Sequence, residues 1–208
     1  MVNRLAISGA VALGALILQG CVPISTIHGI PSTSQTATDG FSDKTAVGAH
    51  SIVWTGSSGD ERLTMPTGYI GGSWNIAEET GVSLGFELPF RPICVLAHRR
   101  GSVSLEAGLS LSAYGDDGLA DLLVGFGVSS PGLSDAPYIA YRHHWIKYAD
   151  AGPQNIARFR QHIVFVGWAW DGGGKRRAIE AYYTWSDGET EPPMDWRGGG
   201  INVIWWTD

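Results

Sequence analysis

Lysine is nearly missing from this chain: Lys44, Lys147 and Lys175 are all it carries. Charged residues of every kind amount to 16% of its 208 residues, against about a quarter to a third of an ordinary soluble surface. A conventional charged exterior cannot be built from so few. There is no basic excess either. Lys and Arg number 14 against 20 Asp and Glu, and the net charge of −6 excludes the electrostatic footprint of a nucleic-acid binder. Cysteine is limited to Cys21 and Cys94, too few for a disulfide scaffold. The apolar run Leu5–Leu18 is too short, and too rich in Gly and Ala, for a comfortable transmembrane helix. Helical periodicity, internal repeats and metal-ligand spacings are missing as well.

What is present begins with "MVNRLAISGAVALGALILQGCVPIS", where Arg4 is the only charge ahead of the apolar run. That is the layout of a signal peptide. Leu18-Gln19-Gly20-Cys21 resembles the lipobox of bacterial lipoproteins: an aliphatic residue, a tolerant position, a small residue, then cysteine. The resemblance covers these twenty-one residues only. It implies removal of residues 1–20, a diacylglyceryl group on the Cys21 sulfur and a further acyl chain on its amine. Several chains give stable anchoring where one gives only marginal binding. The partner so implied is a lipid bilayer. Val22 follows the cysteine, where an Asp would imply retention at the inner membrane, so the resemblance favours the outer membrane, facing the periplasm. The mature chain would keep 188 residues and a charge of −7, since Arg4 is the only charge removed. With Cys21 acylated, Cys94 stands alone and reads as a small buried apolar residue.

Residues 21–46 are rich in Ser, Thr, Gly and Pro and read as a flexible tether. Residues 47–208 read as one antiparallel β-domain. Strands are expected at 47–55, 62–76 (interrupted near Pro66), 81–88, 93–98, 102–114, 120–128, 137–147, 158–170, 176–186 and 200–206. Gly-, Asp- and Pro-rich turns separate them. The clearest hairpin is "VFVGWAWDGGGKRRAIEAYYTW".

In "SVSLEAGLSLSAY", residues 102–114, Val103, Leu105, Ala107, Leu109, Leu111 and Ala113 alternate with Ser102, Ser104, Glu106, Gly108, Ser110 and Ser112. Val82, Leu84, Phe86 and Leu88, and likewise Leu122, Val124, Phe126 and Val128, oppose small or acidic neighbours. Small polar residues suit the crowded interior of a narrow barrel, and large apolar ones suit lipid. Trp54, Trp74, Tyr138, Trp145, Trp168, Trp170, Trp185, Trp205 and Trp206 fall near strand ends, as interfacial girdles do. The composition resembles small outer-membrane β-barrels of eight or ten strands, which implies both chain ends on the periplasmic side. A soluble β-sandwich or lipocalin-like barrel, apolar side inward, is the alternative. It is favoured by the ending Thr207-Asp208 in place of an aromatic residue, by connections that do not alternate cleanly between short and long, and by the redundancy of an anchor on a spanning protein.

Candidate chemistry is thin. Glu106, Arg142, His144, Arg160, His162 and Glu180 are expected to form a polar interior network, since buried charges need partners. Trp185, Asp195, Trp196 and Arg197, in and beside the polar loop "DGETEPPMDWRGGG", are candidate ligand contacts. "DGGGK" lacks the length and following hydroxyl of a phosphate loop. "GLSLS" lacks the second glycine of a nucleophile elbow. Ser129, Asp135 and His143 can be assembled into a triad only on paper. No cofactor and no metal are expected. The function expected is non-enzymatic: an envelope lipoprotein with a structural, interaction or small-ligand role. The alternatives are a glycan- or lipid-binding soluble module and, third, an envelope hydrolase using His144 or His162.

Overall fold

The computed structural model of the chain describes residues 44–55, 62–87, 91–114, 117–130, 135–149, 156–172, 175–188 and 197–207. Cys21, the signal segment and residues 21–43 of the expected tether lie outside them. The described residues form ten strands: β1 (Lys44–Thr55), β2 (Arg62–Ala77), β3 (Thr80–Glu87), β4 (Arg91–Arg100), β5 (Val103–Tyr114), β6 (Asp117–Ser129), β7 (Asp135–Ala149), β8 (Ile156–Gly172), β9 (Lys175–Gly188) and β10 (Arg197–Thr207). Each pairs antiparallel with its sequence neighbours, and β1 pairs with β10 to close a barrel. Closure satisfies the backbone groups that an edge strand would leave open. β1 starts three residues inside the expected tether, at Lys44.

Pro66 does not interrupt β2, contrary to expectation. It sits opposite Ser51 in the β1–β2 ladder. Its fixed φ is compatible with extended backbone, and Met65 and Thr67 on either side keep their register with Ile52 and His50. Gly101, with φ of 59°, occupies the left-handed region in the two-residue link between β4 and β5.

Following the register from Thr55 through Arg197, Trp185, His162, His143, Val124, Ala107, Leu96, Val82 and Trp74 returns to β1 one residue before Lys44. The stagger is thus the 12 residues of a whole β1 length. Ten strands with that stagger tilt by about 40°. A 12-residue strand then rises about 30 Å along the axis, enough to cross an apolar band of about 25 Å.

The alternation along each strand resolves which face is wet. Leu105, Leu109 and Leu111 are 57%, 47% and 57% exposed, while Glu106 and Ser110 between them are buried. Phe86, Leu84, Leu122, Val124, Phe126 and Val128 also point outward. A sandwich or lipocalin-like barrel would have sealed these side chains inside. Twenty-three large apolar side chains among the described residues are exposed. At about half exposure each they present on the order of 2,000 Å², against the few hundred of a soluble monomer's largest patch. Cys94 belongs to this outer face and is exposed, not buried. Its neighbours Ile93 and Val95 take the inward positions.

Of the expected girdle, Trp74, Trp168 and Trp205 are exposed near one end of the barrel and Trp145 near the other. Tyr138 and Trp206 instead point inward and are buried. Period 2 requires this of Trp206, because Trp205 beside it faces out. The Trp54 side chain lies outside the described set.

Candidate functional site

The interior is built from side chains that meet across glycine. In register, Gly125 of β6 lies between Glu106 of β5 and Arg142 of β7. A Cβ there would come within 2.8 Å of Glu106 Cγ. Its absence opens the space through which Arg142 Nε donates to Glu106 Oε1, forming a buried ion pair. Gly167 of β8 does the same between Tyr138 and Glu180. Tyr138 Oη donates to Glu180 Oε1 at 2.6 Å over the bare position. Gly108 lets Val95 and Leu123 meet in an apolar cluster with Ile93.

Around these contacts the lumen is layered. Nearest the chain-end rim, Tyr69, Tyr138, Ala169, Ala178, Ile204 and Trp206 form an apolar plug. Above it Asn202 Nδ2 donates to Glu180 Oε2 at 2.6 Å, and the Arg142 guanidinium lies 5.0 Å over the Phe165 ring. Further up, Arg91 Nη2 donates to Asp121 Oδ2 at 2.5 Å and Arg91 Nε to Ser110 Oγ at 3.1 Å. His144 Nδ1 stands 3.1 Å from both Asp121 oxygens. Gln161 Nε2 donates to Thr184 Oγ1 at 2.6 Å.

Glu106, Arg142, His144 and Glu180 of the expected network therefore lie inside. Arg160 and His162 do not: Arg160 is exposed and His162 is half-buried on the outer face. The β7–β8 register pairs His143 with His162, which puts both on the face opposite His144. The partners that sequence reasoning missed are Arg91, Asp121, Tyr138, Gln161, Thr184 and Asn202. Parity along a strand marks each as inward, but only the register shows whom it meets.

Outside, His162 is the hub of a small polar cluster. Its Nδ1 shares a 2.7 Å hydrogen bond with Tyr141 Oη and stands 3.2 Å from His143 Nδ1. Its Nε2 is 3.4 Å from Asp187 Oδ1, and its ring stacks on Trp185 at 4.9 Å and 8°. Trp185, a candidate ligand contact, is thus committed to His162. Arg197 opens β10 opposite Trp185 and is exposed. Asp195 and Trp196 lie outside the described residues. Asp135 and His143 are eight residues apart on one extended strand, about 26 Å, so the paper triad does not assemble. No cluster of three or more metal-ligating side chains occurs among the described residues.

No protein-family model matches the chain, and no curated protein matches it in sequence. Among solved structures the barrel is similar to Neisserial surface protein A, at 11% identity and a TM-score of 0.44, covering 79% of this chain and 96% of that one. It is also similar to Ail, the attachment invasion locus protein of Yersinia pestis, at 12% identity, TM-score 0.37, and 79% and 96% coverage. The N-terminal β-barrel domain of Pseudomonas aeruginosa OprF matches at 11% identity, TM-score 0.32, and 80% and 100% coverage. The closure into ten strands rests on the registers of this chain itself.

Proposed function

We propose that the chain is a bacterial outer-membrane β-barrel that is also lipid-anchored through acylated Cys21, and that it acts by displaying its rim and outer wall to partners, not by conduction or catalysis. The observation that carries the membrane part is the inverted burial. Glu106, Arg142, Asp121 and His144 are sealed inside while Leu105, Leu109, Phe86 and Val124 face out. Water would penalise that arrangement heavily, and lipid reverses the sign.

The orientation follows from the ends of the strands. Lys44 and Thr207 share the end where three of four connections (78–79, 101–102 and 173–174) span two residues and the fourth is 130–134. The opposite end carries 56–61, 88–90, 150–155 and 189–196, with 115–116 its one short link. Short turns mark the periplasmic side of such barrels. The end bearing Lys44, which leads back toward Cys21, is therefore the periplasmic one, as an inner-leaflet anchor requires.

Two measurements test this. Acylation of Cys21 is read by intact mass of the purified protein and is abolished by Cys21→Ser. The Cys21→Ser barrel should still resist carbonate extraction and migrate faster on gels before heating than after. A Cys21→Ser protein that is monomeric and folded in detergent-free buffer would refute the spanning barrel, and an unmodified Cys21 would refute the anchor alone.

A further inference from the structure

We propose that the outer wall of β7, β8 and β9, at the end away from Lys44 and Thr207, binds the phosphate headgroup of a membrane lipid in the outer leaflet. The inference rests on the spanning barrel proposed above. Lys147 lies two residues before the end of β7 and Arg158 two residues after the start of β8, and the register sets them directly opposite each other. Arg160 follows on the same face, opposite Trp145. All three are exposed.

Like charges facing each other across a ladder destabilise the pair unless an anion lies between them. The groove they line with Trp145 and Asp187, over the inward-facing Ile146 and Phe159, holds about 340 Å³. Asp187 is the one carboxylate among the described residues lining it, and it stands opposite Arg160. Among the described residues, three cations against one carboxylate leave an excess of two positive charges. A phosphate monoester carries about −1.5 to −2 at neutral pH, so its charge complements the groove better than a masked diester does. Guanidinium forks suit phosphate oxygens geometrically.

The height is that of a headgroup. Trp145 and Trp185 lie two residues toward the barrel middle from Lys147 and Asp187 respectively, at the level where interfacial aromatics sit. Below them Val124, Leu122 and Tyr183 continue the apolar wall along which acyl chains would run. A soluble anion would use the cations alone; a lipid uses both levels.

The test uses the acylated full-length barrel in non-ionic detergent, titrated calorimetrically with three probes: dihexanoyl phosphatidic acid, dihexanoyl phosphatidylcholine and sodium phosphate. Phosphatidic acid should bind about tenfold more tightly than either of the others, and the triple variant Lys147→Gln, Arg158→Gln, Arg160→Gln should weaken it by about tenfold or more. The variant's heat-modifiable migration should match the parent's. Should the triple variant not fold, Arg158→Gln alone should weaken binding about threefold. Equal binding of the two lipids, or parental affinity in whichever of these variants folds, overturns the headgroup site. Inorganic phosphate binding as tightly as phosphatidic acid shows a soluble-anion site and overturns it too. All of these can occur in a barrel that migrates normally, whereas loss of heat-modifiable migration in the parent protein removes the spanning barrel itself.

Discussion

Glu106 and Arg142 are two strands apart and yet in contact, because the residue between them has no side chain. The pair is sealed from water, so removing one partner leaves the other charge uncompensated. Glu106→Ala should destabilise the barrel by about 3–5 kcal/mol, read from the urea midpoint of the heat-modifiable band. Gly125→Val should weaken the same contact by occupying the gap. Gly118→Val on the same strand, where an added Cβ meets nothing within 4 Å, should leave the midpoint close to the parent value. At this scale the sequence was half legible. Glu106, Arg142, His144 and Glu180 declare themselves inward by alternation against large apolar neighbours. Arg160 and His162 mislead because parity is defined only within a strand, and the offset between β7 and β8 decides which parity is inside. The glycine gaps were invisible for the same reason: Gly125 and Gly167 matter only for what the neighbouring strands place beside them.

The strands were the most readable level. All ten expected segments exist, each within three residues of its expected ends, because period-2 alternation and Gly-, Asp- and Pro-rich turns are local signals. The miss at Pro66 came from treating proline as a breaker, when the φ its ring fixes is one that extended backbone also adopts. Face assignment makes a prediction that belongs to the element. Leu109 projects from the middle of β5, 47% exposed, while Ser110 beside it is 1% exposed. If the barrel spans a bilayer as proposed, Leu109→Arg should cost about 2–4 kcal/mol of stability there, since it sets a charge at mid-depth on the outward face. Leu109→Ala should cost far less there. Refolding yields into vesicles, scored by the gel shift, separate the two. Equal yields for Arg and Ala would mean that β5 does not face lipid.

At the scale of the whole molecule, strand number and stagger set the lumen, and neither can be read from a sequence without the register between strands. Ten strands enclose only a little more room than the eight whose interior side chains just fill. The chain fills the extra room with bulk. Among the described residues, Trp206, Arg142, Phe165, Leu123, Ile163, Ile204, His144 and Gln161 are the largest fully buried side chains. They come from β6, β7, β8 and β10, one half of the barrel wall, and project into the lumen at different heights. Near the chain-end rim, Trp206 and the Tyr138 ring lie in one apolar cluster with Ala169 and Ala178, which leaves little polar lining for an ion. Higher up, the ion pairs bind their charges to one another and not to a file of water. The barrel should therefore be electrically silent. Reconstituted in planar bilayers at symmetric 1 M KCl, the folded protein should give no stable unitary currents at moderate voltage. Trp206→Ala, if it folds, should still not conduct, because the Arg142–Glu106 and Arg91–Asp121 layers remain above it. Discrete, long-lived openings in the parent protein would mean that the lumen is not packed through its height, and would overturn the proposal that the barrel acts through its rim and wall.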